Sequence, residues 1–214
     1  MKWFLVLTFF LLNCSTTYWQ YHLTGETRVI HPTNIPVWID SRFSEKETED
    51  IKNALNEWNL ALNGQIKIID QHSGEGMDGK KRLYLNSFDG LEEGKKLEKQ
   101  FEESGLGWVI FATKHDAKEF EEIPDDALAY VDGIDQHKMV IIQDRLGGRA
   151  IKDITMHEIG HLLGAFHVNT PSLMYPSYGN RQFDCIDKIT LSQVATVRRL
   201  DFNHLNYCVT PGWE

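Results

Sequence analysis

Residues 157–167 read HEIGHLLGAFH, which puts three histidines and one glutamate within eleven positions. On a helix, His157 and His161 lie four residues apart and project from one face on successive turns. Imidazole nitrogens placed in this way reach a single divalent ion at about 2.0–2.1 Å. Glu158 is displaced around the helix from His157, so it stands beside the ion and takes the proton of an activated water. Gly164 turns the chain out of the helix, and three more residues bring His167 to a third coordination position. A fourth position stays open for water, as a catalytic zinc site requires. The spacing therefore predicts one Zn2+ held by His157, His161 and His167, with Glu158 as general base.

The alternative for the same residues is a surface helix that carries polar histidines. Requiring Gly164 and His167 together with the two histidines and the glutamate brings the chance expectation to the order of one in 10⁴ for a chain of this length. That sets the surface-helix reading far behind. The segment contains no cysteine, which argues against a closed structural zinc site. His72, His115, His137 and His204 fit no ligand spacing and read as surface histidines.

The site needs a rigid helix, and the chain around it supplies one. A helix is expected from Arg149 to about Leu163, with Gly164 as its stop. Upstream, Ile35–Asp40 reads as a strand, and Pro36 suggests a strand start or an edge. Ser44 and Glu47 form a capping box. Ile51, Leu55, Trp58 and Leu62 then recur at helical spacing until Asn63-Gly64. Gln65–Asp70 and Arg82–Ser87 read as strands flanking a glycine-rich loop over Gln71–Lys80. Gly90–Ser104 is a highly charged surface helix with Leu91, Leu97 and Phe101 as its few anchors. Gly107–Thr113, Ala127–Val131 and Met139–Gln143 are further strands, the last two joined by the turn Asp132-Gly133. A final helix is expected from Thr190, capped with Gln193, to about Phe202. The layout is α+β in a single domain: a twisted mixed sheet of about five strands with three main helices.

HEIGHLLGAFH followed by Ser172-Leu173-Met174-Tyr175-Pro176-Ser177-Tyr178 resembles the metzincin metalloproteases, whose extended zinc motif precedes a Met-turn. Within that clan MYPSY resembles the matrixins. The resemblance implies a zincin-like domain over 35–214 with an active-site helix followed by the Met-turn at Met174. It implies that Pro176 and Tyr178 wall the pocket for the substrate residue just beyond the scissile bond. IPVWID with its capped helix, DALAYVDG and KITLSQVATVRRLDF are similar to the first strand and helix, the substrate-pairing edge strand and the C-terminal helix of the family. Substrate would lie extended along Leu128, Ala129, Tyr130 and Val131, adding its backbone to the sheet edge. The chain shows no cysteine-switch segment, and calcium, though compatible with the family, has no evident site here. Segments 72–80 and 90–104 read as insertions.

The first fourteen residues, MKWFLVLTFFLLNC, combine Lys2 with an apolar run over Trp3–Leu12, the pattern of a signal peptide. Leu11-Leu12-Asn13-Cys14 resembles a bacterial lipobox, with Cys14 as the lipidated residue. Asn13 stands where that pattern has a small residue, and cleavage nearby by an ordinary signal peptidase is the alternative. Residues 15–34 read as an N-terminal extension or tether. The protein is thus expected outside the cytoplasm, secreted or lipid-anchored to a bacterial membrane. Of the three cysteines, Cys185 and Cys208 remain to pair there. A net charge of −9 argues against nucleic acid and against docking on anionic lipid through basic patches. The expected partner is a polypeptide substrate, bound by a monomer. A zinc-dependent endopeptidase is the leading function. The alternatives are a non-proteolytic surface binding module that keeps the fold, or a zinc hydrolase acting on cell-wall peptide. An intact Glu158 disfavours the binding module.

Overall fold

The structure, a computed structural model, describes residues 34–70, 87–105, 107–114, 120, 123–124, 126–131, 133, 136–180 and 185–208. The expected leader with Cys14, most of the tether, the glycine-rich loop, His72 and His115 lie outside these residues. Six strands make one sheet in the order β2-β1-β4-β6-β5, with β3 also pairing β1. They are β1 (Asn34–Asp40), β2 (Lys67–Asp70), β3 (Ser87–Phe88), β4 (Trp108–Thr113), β5 (Ala129–Tyr130) and β6 (Lys138–Ile142). All pairings are parallel except that of β5 with β6, which is antiparallel. Among the described residues, four α-helices accompany the sheet: α1 (Glu45–Leu62), α2 (Gly90–Ser104), α3 (Ile151–Leu163) and α4 (Lys188–Arg198).

The sheet is buried on both faces, and β4 shows it most clearly. Every residue of WVIFAT is buried. Trp108, Ile110 and Ala112 join the main core with α1 and α3, while Val109 and Phe111 join a second cluster with α2. A strand covered on both sides reads as a continuous apolar run rather than an alternating one.

The expected first helix is present with its cap. Ser44 Oγ accepts the Glu47 N–H at 3.3 Å, and the Ser44 N–H donates to Glu47 Oε2 at 2.8 Å. Such a cap contributes about 1 kcal/mol. Ile51, Leu55, Trp58 and Leu62 form the buried stripe of α1. Asn59 covers the backbone of β2, accepting the Ile68 N–H and donating to its carbonyl, both at 2.7 Å.

Four sequence expectations need correction. Pro36 lies in β1, which runs inside the sheet between β2 and β4. Pairing with β4 begins at Val37, so the proline, which has no N–H, precedes that ladder. The helix expected over Gly90–Ser104 is present with those bounds, but it is a fourth main helix beside the three expected. Its Gly94, Leu97 and Phe101 are buried and cover the second face of the sheet. Gly94 has no room for a Cβ against Phe111 and Phe88. Strand β5 is shorter than Ala127–Val131, although Leu128 O still accepts the Ile142 N–H at 2.9 Å. The last helix starts at Lys188 rather than Thr190 and ends at Arg198, because Asp187 is its cap.

Candidate metal centre

Helix α3 carries the site and is buried almost throughout. Its Ala150 N-cap has no polar side chain, and Tyr178 from the downstream loop ties that end instead. The Tyr178 hydroxyl accepts the Ala150 N–H and donates to Asp153 Oδ2, each at 3.1 Å. Trp58 of α1 donates its indole N–H to Met156 O at 2.9 Å and so fixes the turn before His157.

The exit from α3 is built around Gly164. Gly164 has φ +105°, and a Cβ there would lie 2.6 Å from Val197 Cγ1 on α4. Both the backbone conformation and the close approach require glycine. The Gly164 N–H reaches His161 O at 2.9 Å, and the Ala165 N–H reaches Gly160 O at 2.7 Å, closing the helix. The Phe166 N–H then donates to Gln193 Oε1 at 2.9 Å. Gln193 thus braces the segment leading to His167 rather than capping α4.

These constraints bring the three imidazoles together. His157 Nε2 and His161 Nε2 each lie 3.2 Å from His167 Nε2. The ring centroids form a near-equilateral triangle of 4.8, 5.2 and 4.7 Å. Two nitrogens held tetrahedrally at 2.0–2.1 Å from one ion would be about 3.3 Å apart, so the spacing fits zinc. The protonation pattern points the same way. His157 Nδ1 is 2.7 Å from Leu173 O, and His161 Nδ1 is 2.9 Å from Ala165 O. A carbonyl only accepts, so both Nδ1 atoms carry the hydrogen. The Nε2 lone pairs then face His167 Nε2, where a single proton serves only one of them. A cation at the centre satisfies all three, and the carbonyl partners are the outer shell that orients metal-ligating histidines. Among the described residues, these three form the cluster able to hold a metal ion.

Glu158 is buried at 7% exposure, next in sequence to His157. Met174 is fully buried, and its sulfur lies against Gly160 between the two helical histidines. Pro176 is exposed and Tyr178 half-buried, and both follow the Met174 turn. Leu128, Ala129 and Tyr130 are half-buried, and Ala129–Tyr130 end the strand order as β5. Cys185 and Cys208 are joined in a disulfide with Cα atoms 6.2 Å apart. His137 and His204 stand apart from the triangle. His137 Nδ1 is 2.7 Å from Gly107 O, and His204 Nδ1 is 2.7 Å from Asp201 Oδ2. The hydrogen bond from His204 holds the Asp201 carboxyl below its ordinary range.

Sequence reasoning missed Asp187 and Arg198, both buried. Arg198 donates from Nε to Leu163 O at 3.1 Å and from Nη2 to Leu162 O at 2.6 Å, satisfying the last carbonyls of α3. A cation at a helix C-terminus is also favoured by the helix dipole. The only sequence signal was an arginine near the end of an amphipathic helix, which gives no hint of burial.

Comparison with protein-family models finds a match to the matrixin model over residues 39–200, most of the chain and the whole of the site. No curated protein matches the chain significantly.

Proposed function

The chain belongs to the matrixin family of metallopeptidases, and on that premise we propose that it is a zinc-dependent endopeptidase acting on extracytoplasmic polypeptides. The observation that carries this reading is the meeting of His157, His161 and His167 at 3.2 Å through their Nε2 atoms, with both helical Nδ1 atoms committed to carbonyls.

His157, His161 and His167 would hold the zinc. When bound, zinc lowers the pKa of a coordinated water toward neutrality and polarises a carbonyl. The protein's own part is proton transfer and placement. The carboxylate of Glu158 takes the water proton and returns it to the leaving amine. Its burial beside His157 keeps the exchange away from bulk solvent. The substrate lies extended and pairs its backbone with β5, which ends the sheet beside α3. Pro176 and Tyr178 wall the pocket that receives the residue after the scissile bond. The domain spans 35–214 as a monomer, preceded by a signal peptide over 1–14 and a tether over 15–34. Export, with either secretion or a lipid on Cys14, agrees with the Cys185–Cys208 disulfide, which suits an oxidising compartment.

The test is a digest of a peptide library and of cell-wall peptides, with and without chelator, read by mass spectrometry, beside the Glu158→Gln variant. Internal cleavage of library peptides that stops with chelator, and that Glu158→Gln loses while keeping its metal, supports the reading. Cleavage of cell-wall peptides alone would redirect it to that substrate. Stoichiometric zinc with no cleavage of either would leave a binding scaffold.

A further inference from the structure

Asp187 is 4% exposed and accepts five hydrogen bonds. Its Oδ1 accepts from the Ile189 N–H at 2.9 Å and the Thr190 N–H at 3.0 Å, which is the cap of α4. A cap needs no more than one oxygen. The second oxygen, Oδ2, points to another task. It accepts from Ser172 Oγ, the Leu173 N–H and Thr190 Oγ1, each at 2.8 Å. Ser172 Oγ in turn accepts the Met174 N–H at 3.1 Å. Both peptide units flanking Leu173 are therefore tied to one carboxylate, the first directly and the second through Ser172. The carbonyl of the second unit, Leu173 O, is the group that His157 Nδ1 contacts at 2.7 Å. Asp187 is itself anchored by the C-terminal segment. It forms a bridge with Cys208, whose N–H donates to Ile186 O at 3.1 Å, next to the disulfide with Cys185.

We infer that Asp187 is a positioning residue for the metal ligand His157, acting through Ser172 and the 173–174 peptide. The inference rests on the zinc reading above. Hydrogen bonding at the peptide N–H strengthens its carbonyl as an acceptor. That carbonyl fixes the tautomer and ring orientation of His157. The turn's backbone bonds, from the Tyr175 N–H to Ser172 O at 3.2 Å and from the Val168 N–H to Met174 O at 3.1 Å, use neither the Leu173 N–H nor the Met174 N–H. The side-chain anchor on those two groups therefore decides where the Leu173 carbonyl points. Asparagine could keep the capping oxygen. It would, however, turn the Oδ2 position into a donor facing the Leu173 N–H, which cannot reverse its role.

The experiment uses the full chain with Co2+ in place of zinc, comparing wild type, Asp187→Asn and Ser172→Ala. Ser44→Ala, which loses the remote cap of α1, controls for general destabilisation. Metal affinity is read by chelator competition, and ligand geometry by visible absorption of Co2+. Asp187→Asn should bind Co2+ about 10-fold more weakly, with altered absorption. That is the lower end of the loss seen when a ligand's own outer partner is removed, because Leu173 O stays in place but loses its anchor. Ser172→Ala should show a smaller loss in the same direction, and Ser44→Ala none. A folded Asp187→Asn with wild-type affinity and spectrum overturns the inference, as does an equal loss in Ser44→Ala. Should Asp187→Asn fail to fold, Ser172→Ala decides, and unchanged affinity there overturns it. A wild-type chain that binds neither Co2+ nor zinc sinks the zinc reading itself, a different result from either.

Discussion

Gly160 and Met174 pack so closely that a Cβ on Gly160 would lie 2.5 Å from the Met174 sulfur. Methionine is adaptable, but Met174 is fully buried and has no solvent side to swing toward. Two effects oppose each other in Gly160→Ala. Alanine gains about 0.5–1 kcal/mol as a helix former, while overpacking a closed core costs about 1–3 kcal/mol. The clash wins, and denaturant unfolding should show a net loss of about 1–2 kcal/mol. Met174→Ala alone should cost about 2–5 kcal/mol through the cavity it leaves. The double variant should lose clearly less than the sum of the two. Simple additivity would show that the two residues are not coupled.

Zinc binding by the three histidines should appear as stability. A ligand that binds only the folded chain adds about 4 kcal/mol when its free concentration is 1,000-fold above Kd. For a domain of this size that is roughly 10 °C in melting temperature. Chelator should remove the increment, and His161→Ala should never show it. A melting temperature indifferent to zinc in the wild type would count against a metal at the triangle.

Much of this site was legible because its parts are local. His157, Glu158, His161, Gly164 and His167 sit within eleven residues, and helical geometry fixes their relation before any tertiary contact. The Ser44–Glu47 capping box and the apolar stripe of α1 are local for the same reason. The supports were not legible. Asp187 bonds Ser172 and Leu173 across about fifteen residues, and Arg198 reaches Leu162 and Leu163 across about thirty-five. Such contacts leave no period in the sequence. Thr190 fitted a capping-box pattern and drew the expected start of α4 away from Asp187. Leu97 and Phe101 were too few to reveal that the charged stretch 90–104 closes the second face of the sheet.

Tyr178 offers a test of the pocket wall. Its hydroxyl links the Ala150 N–H and Asp153 Oδ2 at the start of α3. Tyr178→Phe removes both bonds at a half-exposed position, so stability should fall by about 1 kcal/mol. The wall loosens while the metal ligands and Glu158 keep their own supports. Steady-state kinetics should therefore show KM rising with kcat nearly unchanged. A loss confined to kcat would assign the hydroxyl to the chemical step instead.

Arg198 should matter to the fold more than its place on the last helix suggests. It is 7% exposed and satisfies two carbonyls at the end of α3. Arg198→Met keeps the apolar stem but leaves those carbonyls without their charged partner. Charge-assisted bonds contribute about 1.5–3 kcal/mol, and denaturant unfolding should record a loss of about 3 kcal/mol. Arg198→Lys, one donor group in place of a fork, should recover only part of it. Full recovery would mean that charge alone, without bidentate geometry, is enough.

The disulfide between Cys185 and Cys208 closes a segment with a sequence separation of 23. On the chain-entropy account, removing a link of that span costs about 3 kcal/mol. Its position predicts a local effect as well. The Cys208 N–H holds Ile186 O, and Cys208 bridges Asp187, the cap of α4. With Cys185→Ser and Cys208→Ser together, the C-terminal segment keeps its contacts further upstream, among them buried Leu205 and the Asn206 amide on Leu60 O. Residue 208 itself, however, is held beside Asp187 only by its N–H on Ile186 O. Asp187 should then release its hold on the Ile189 and Thr190 amides more often. Hydrogen exchange at those two amides should accelerate beyond what the global loss of stability explains, while exchange in β4 should follow the global loss alone. Uniform acceleration across α4 and β4 would reduce the bridge to a tether and detach it from the cap.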